Sequence, residues 1–268
     1  MNRALAVANR FAPFLMGEYV GWKMTRPFRY DRPAWERALL EKSKIHGLPS
    51  GRKFWSWGDS GPFVLLVHGW EGRGTQLGSF VDPLVARGFR VLAWDGPAHG
   101  ASSGMTTHLK HFSEALGEDS AAFREEIFAV IAHSMGGPAT LLAMEAAKLR
   151  PQKISLIAAP SQFTSTIDLV AIRHGLTPAT KSFLVKSLER RFRCGIEELD
   201  FGTRVWRPRV PVQVVHDASD KVVPIREAHR LAELLSSKDL KTFNGLGHRS
   251  ILKSRDVVQC VLEFISMT

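Results

Sequence analysis

Cysteine is nearly missing from this chain: there are two, Cys194 and Cys260, in 268 residues. Neither sits in a CxxC or Cys/His spacing, so neither a disulfide framework nor a cysteine-ligated metal site is expected. The pair reads as reduced thiols in a cytoplasmic protein. No window approaches the roughly 18 uncharged apolar residues of a membrane-spanning helix, so no stable membrane insertion is expected. The apolar stretch after Arg3 is soon broken by Asn9 and Arg10, which is too short for the core of a secretory signal. Internal repeats and low-complexity tracts are lacking. So are RRM, helix-turn-helix and zinc-finger patterns, and nucleic acid is not expected as a partner.

What is present suits one sizeable core. Hydrophobic residues make up 44% of the chain, and a domain of this length buries roughly three quarters of the surface its unfolded form exposes. Length favours one domain, with room for an insertion. The formal net charge is +10, and it is localised: residues 1–50 hold nine Lys/Arg against four Asp/Glu, residues 162–209 nine against five, and the remainder 18 against 17. Such an excess speaks to solubility and association rather than to fold.

From residue 51 the chain alternates short apolar runs with longer amphipathic stretches, the pattern of βα units around a mostly parallel sheet. Strands are expected at Lys53–Trp57, Phe63–Val67, Arg90–Trp94, Ile127–His133, Ile154–Ala159, Val212–His216 and Leu240–Phe243. Helices are expected at Thr75–Ala86, Leu109–Arg124, Met135–Leu149, Arg226–Leu235 and Ser250–Ile265. About 50 residues after Ala159 show helical spacing, including Pro178–Phe192, and no strand, so 162–209 reads as a helical cap insertion. It carries Arg190, Arg191 and Arg193 in one cluster and Arg204, Arg207 and Arg209 in another. Residues 1–50 read as a helical N-terminal extension, with Pro13 interrupting one helix and Pro33–Lys42 forming another. The core is then 51–161 together with 210–268.

The sharpest local signal is Ala132-His133-Ser134-Met135-Gly136-Gly137, directly after the strand residues Ile127–Ile131 and opening a helix. A serine at such a turn is pushed above the sheet edge, and its neighbours two residues away must be small. An ordinary turn with an N-cap serine has the same local pattern. The rest of the chain argues against that plainer reading. His68-Gly69-Trp70 follows Phe63–Val67, Asp95-Gly96-Pro97-Ala98-His99-Gly100 follows the next strand, and the serine turn comes third. In these turns and their order, from about Lys53 to the C-terminus, the sequence resembles the α/β-hydrolase fold family. The one departure in the serine turn is Ala132, where glycine is usual.

The resemblance implies an α/β fold, with a mostly parallel central sheet flanked by helices, and a serine activated by a base and an acid in the chain order Ser, acid, His. Asp217-Ala218-Ser219-Asp220-Lys221-Val222-Val223-Pro224 is similar to the family's acid turn and aligns Asp220 with the acid. Asp217 is its rival, three residues nearer the strand. Gly245-Leu246-Gly247-His248 supplies the base, His248. His68, His99 and His133 lie inside the matched turns and read as loop-stabilising groups. The backbone N–H groups of Met135 and Trp70 fall where the family forms its oxyanion hole. The expected activity is cleavage of an ester or thioester through an acyl-enzyme on Ser134, with no cofactor or metal and a small-molecule acyl substrate. An acyltransferase using the same three residues and a catalytically idle binding protein of the same fold are the alternatives.

Overall fold

A continuous apolar run has no polar face to turn to water, so as a strand it must be covered on both sides. In the computed structural model, which describes residues 9–122, 126–201 and 206–267, Phe63–Val67 is such a strand, β3, and all five of its residues are buried. The other strands are β1 (Lys44–Gly47), β2 (Lys53–Trp57), β4 (Arg90–Asp95), β5 (Ile127–His133), β6 (Lys153–Ile157), β7 (Val212–Asp217) and β8 (Asp239–Phe243). They form one eight-stranded sheet in the order β1-β2-β4-β3-β5-β6-β7-β8. Strands β3 to β8 are mutually parallel, and β1 and β2 form an antiparallel edge.

Along β3 the side chains alternate between two cores with the period of two that a strand imposes. Phe63, Leu65 and Val67 join one cluster, while Val64 and Leu66 join the other. The described helices are α1 (Pro13–Lys23), α2 (Ala34–Glu41), α3 (Val81–Val85), α4 (Leu109–Ala122), α5 (Gly136–Glu145), α6 (Phe163–Arg173), α7 (Pro178–Phe192), α8 (Ile225–Leu234) and α9 (Arg255–Ser266). On the first face α4, α5 and α8 deliver Phe112, Leu116, Leu141 and Leu231. On the second, α3 and α9 deliver Leu84, Val257, Val261 and Ile265. Strand order reverses around β3, and a crevice at the carboxyl ends of the strands is where such sheets place their ligands.

The expected helix Met135–Leu149 is α5, which ends at Glu145, and two other expected helices are broken. Thr75–Ala86 is a 3₁₀ segment, Gly74–Phe80, that kinks at Leu77 before α3 begins; two glycines in seven residues weaken a continuous α-helix there. Ser250–Ile265 divides at the extended residue Ser254, between the 3₁₀ turn Ser250–Lys253 and α9. Arg124, the expected end of α4, lies outside the described residues.

The first 50 residues are not purely helical. Their last part, β1, extends the sheet by pairing with β2. It is largely exposed, and Lys44-Ile45-His46-Gly47 offers no apolar alternation by which to recognise it. Pro13 does more than interrupt a helix: it opens α1 at its first turn, where a missing N–H costs nothing. α1 then seats Met16, Gly17, Val20 and Gly21 against α7, with Gly17 on Phe183 and Gly21 on Ser187. Asn9 donates to Gly175 O at 2.7 Å and accepts from Thr177 N at 3.1 Å. Arg190 and Arg191 pair with Glu18 of α1. That first arginine cluster therefore faces the N-terminal helix, and Arg204 lies outside the described residues.

A second anchor is ionic. Glu36 of α2, 1% exposed, receives a two-pronged bond from Arg73, Nε to Oε2 at 2.6 Å and Nη2 to Oε1 at 2.7 Å, and a third from Thr75 Oγ1 at 2.5 Å. Arg32 donates to Asp95 Oδ2 at 2.8 Å. Buried charges are tolerated only when paired and fully bonded, and removing one partner leaves the other uncompensated. Glu36→Ala is expected to cost about 3–5 kcal/mol, read as a lowered urea midpoint. A loss below ~1 kcal/mol would show that water or a neighbour satisfies Arg73.

Candidate active site

Ser134 sits where β5 gives way to α5, with φ at 53°. A serine held in that left-handed region stores about 1–3 kcal/mol and needs surroundings that over-determine it. Its N–H donates to Ile157 O at 2.9 Å, and its carbonyl accepts from Gly137 N at 2.9 Å. Two glycines permit the close packing around it. A Cβ on Gly136 would lie 2.6 Å from His68 O, and one on Gly69 would lie 2.7 Å from Ser134 Cβ and 3.2 Å from its Oγ. The turns after β3 and β5 thus touch, with Ser134 at the contact. Ala132 is fully buried within β5, and its methyl group fits.

The loops after β7 and β8 bring two more side chains to this point. His248 Nε2 is 3.0 Å from Ser134 Oγ, and His248 Nδ1 is 2.7 Å from Asp220 Oδ2. A neutral imidazole that gives its Nδ1 proton to the carboxylate presents a lone pair at Nε2 to the serine hydroxyl. Asp220 Oδ1 is occupied by Val222 N at 2.7 Å and Val223 N at 3.0 Å. Burial pushes the Asp220 carboxyl up, but the His248 hydrogen bond and charge and the two backbone donors outweigh it and hold the group below its ordinary range.

Asp217 does different work. Its Oδ1 accepts from Ser219 N at 2.9 Å and from the Ser219 hydroxyl, and its Oδ2 accepts from Leu246 N at 2.9 Å. It therefore fastens the acid turn to the loop that carries His248. Met135 directly follows Ser134, and Trp70 directly follows Gly69, the residue packed on Ser134. Among the described residues no hydrogen bond from the backbone N–H of either is found. The amino end of α5, with its partial positive charge, lies on the same side of the serine.

Four other histidines brace these loops. His68 Nε2 accepts from Gly96 N at 3.0 Å, and His99 Nε2 accepts from Glu71 N at 3.0 Å, so the β3 and β4 turns hold each other reciprocally. His133 Nε2 lies 2.8 Å from His248 O, and His216 Nε2 lies 2.8 Å from Val223 O. Burial lowers all four, His99 to about 4 and His133 to about 3. Unfolded, each would take its proton near the ordinary value of 6.5. Their stabilisation is therefore complete above pH 6.5 and is lost as pH falls below it, towards about 4 for His99 and about 3 for His133. His99 and His133 are each expected to withdraw about 2 kcal/mol by pH 5. Urea midpoints at pH 7.5 and 5 test this, with His99→Gln showing the smaller drop; equal drops would clear His99 of the effect.

Sequence reasoning missed the contribution of residues 26–36. Arg29 donates to Ala98 O at 3.0 Å and to Ser102 O and Gly104 O at 2.7 Å each. Phe28 N donates to Glu71 Oε1 at 3.2 Å. The Tyr30 ring lies 5.8 Å from the guanidinium of Arg249, the neighbour of His248. These contacts join residues 43 to 219 positions apart in sequence, so no local spacing could reveal them. The arginines were visible only as part of a basic segment. Among the described residues no cluster of three His, Cys, Asp or Glu side chains is placed to hold a metal ion, and no helix is long and apolar enough to cross a membrane.

Comparison with known proteins gives this geometry a context. Residues 64–259 match the family model described as the alpha/beta hydrolase family. A pimeloyl-[acyl-carrier protein] methyl ester esterase of Aromatoleum aromaticum is 25% identical over 250 residues, covering 75% of this chain and 97% of the relative. Human protein ABHD8 is 26% identical over 239 residues, 75% of this chain but 54% of its own length. Among solved structures, an esterase from Exiguobacterium antarcticum superposes with a TM-score of 0.62 at 17% identity, over 84% of this chain and 99% of that one. A thioesterase domain from the curacin biosynthetic pathway gives a TM-score of 0.57 at 17% identity, over 84% and 98%. At such identities these two likenesses carry the fold alone.

Proposed function

The chain belongs to the alpha/beta hydrolase family, and from that premise we propose that it is a serine hydrolase that cleaves an ester or thioester through an acyl-enzyme on Ser134. The observation that carries the reading is the unbroken relay from Asp220 through His248 to Ser134, with separations of 2.7 and 3.0 Å. The relative from Aromatoleum aromaticum, named for action on a methyl ester, supports an ester as the bond attacked.

In this reading Ser134 Oγ attacks the substrate carbonyl carbon while its proton passes to His248 Nε2. The carbonyl electron pair moves onto oxygen, and that oxyanion is received by the N–H groups of Met135 and Trp70. Collapse of the tetrahedral intermediate expels the alcohol or thiol, which takes the proton from His248. Water then repeats the sequence on the acyl-enzyme, giving its proton to His248 and releasing the acid and free Ser134. Asp220 stays ionised and fixes the imidazole tautomer. Residues 51–161 and 210–268 are the catalytic core in this reading, residues 1–50 an N-terminal extension, and 162–209 a helical cap that carries α6 and α7.

The test is a panel of esters and thioesters of graded chain length on the purified protein, with Ser134→Ala as the blank. Turnover of at least one substrate that vanishes in the blank is the expected result. Equal rates in both proteins would overturn the proposal. Added alcohols or amines that divert the acyl group from water would make the protein an acyltransferase.

A further inference from the structure

Nine of the thirteen large apolar side chains exposed among the described residues fall between Phe11 and Ile45. Such concentration marks an interaction surface, whereas single exposed apolar residues are ordinary. Within it, α1 is apolar on both sides. Met16, Gly17, Val20 and Gly21 are buried, while Leu15, Tyr19 and Trp22, spaced i, i+4, i+7, point the other way and are 65%, 42% and 40% exposed. Phe11 and Phe14 stand at the rim of that stripe, both more than half exposed.

The chemistry of the border distinguishes the possible occupants. Arg10, Lys23 and Arg26 are exposed. Among the described residues none of the three is found in an ion pair with a carboxylate. Arg26 instead lies 4.7 Å from the Trp22 ring and Arg10 5.6 Å from that of Phe11. The one acid of α1, Glu18, is taken up by Arg190 and Arg191, so the outer face carries cations and aromatic rings. Tyr and Trp, with an apolar body and a polar tip, suit the headgroup layer of a bilayer. Lysine and arginine beside them suit anionic lipid. A second copy of the chain would set these cations against themselves across a two-fold axis, which opposes self-association.

We infer that the outer face of α1 is a docking surface for an anionic lipid bilayer, with Leu15, Tyr19 and Trp22 entering the headgroup layer and Arg10, Lys23 and Arg26 meeting lipid phosphates. α1 is held rigidly on α7, so the face is presented without refolding. From α1 the chain runs on through Phe28 and Tyr30, which touch Glu71 and Arg249 of the loops around Ser134. Docking itself does not depend on the activity proposed above.

Co-sedimentation of the full chain with vesicles tests it. Binding is expected to phosphatidylcholine vesicles containing phosphatidylglycerol, weakening as salt rises, and to be much weaker with pure phosphatidylcholine. Lys23→Gln with Arg26→Gln should lower partitioning roughly five-fold per charge removed. Leu15→Ser with Trp22→Ser should lower it by about ten-fold or more; these side chains are exposed, so an unchanged melting temperature verifies the fold. Trp22→Phe keeps an aromatic ring and should bind, yet lose part of the tryptophan quenching caused by brominated lipid. No binding to anionic vesicles at low salt, or variants that bind like the parent, would overturn the inference. So would variants that leave lipid binding intact but dissolve an oligomer seen by analytical ultracentrifugation, which would assign the face to a second copy.

Discussion

Ser134→Ala is expected to lower ester turnover by roughly 10⁶-fold, and His248→Ala by a comparable factor, with the double variant no worse than either. In the proposed mechanism the hydroxyl and the imidazole act as one unit. At 3.0 Å, Nε2 is within reach of the Oγ proton; without it the serine is an unactivated alcohol, and without the serine the base has nothing to activate. A residual rate above that in water would come from substrate binding and the oxyanion donors. An active-site phosphonate should label Ser134 alone, fail on Ser134→Ala and react far more slowly with His248→Ala. Undiminished labelling of His248→Ala would detach the histidine from the serine's reactivity, whatever their separation.

The loops that carry these groups depend on neutral histidines. Each of His68 and His99 uses one ring nitrogen to accept a backbone N–H from the opposite turn, while its other nitrogen faces a carbonyl of its own turn, Gly69 O at 2.7 Å and Pro97 O at 2.9 Å. An imidazolium has no lone pair, so protonation would break the cross-link between turns that set Trp70 near Ser134. His133 and His216 instead each donate a ring N–H to a carbonyl, Nε2 lying 2.8 Å from His248 O and from Val223 O, and burial opposes their protonation. Acid should therefore weaken the frame of the site at these histidines.

Much of this was legible because it is local. β2, β3 and β5 begin and end at the residues their patterning indicates, and β3, an unbroken apolar run covered on both faces, has no polar position to blur its limits. α7 is equally sharp: Pro178 starts it, and the Thr177 side chain accepts from Thr180 N at 3.2 Å. The turns bearing Ser134, Asp220 and His248 each follow a strand, and their chain order sets them along one sheet edge. What the spacing could not disclose is long-range. β1 is an exposed edge with little apolar content. Glu36 looks like any surface acid on a short helix until Arg73 and Thr75 close over it. Arg190 and Arg191 invite a reading as an anion-binding rim, and only the packing of α1 on α7 shows that Glu18 already holds them.

Asp220→Asn should reduce turnover on the order of 10⁴-fold with the fold intact, the loss seen when a comparable triad loses its acid. Oδ1 is pinned by the N–H groups of Val222 and Val223, which will accept only an oxygen there. The amide NH₂ of asparagine must then occupy the Oδ2 position, 2.7 Å from His248 Nδ1. A donor in that place forces Nδ1 to accept and moves the ring proton to Nε2, the nitrogen that in the proposed mechanism receives the Ser134 proton. Asp217→Asn sets up a different conflict. One of its two ends must point an NH₂ at either Leu246 N or Ser219 N, leaving a donor facing a donor. That should cost about 1–3 kcal/mol of stability and loosen the link between the acid turn and the His248 loop, with a far smaller loss of turnover than Asp220→Asn. Measured side by side as kcat and urea midpoint, the two variants should separate cleanly: a catalytic loss at Asp220, a structural one at Asp217. The opposite pattern would make Asp217 the residue that orients His248.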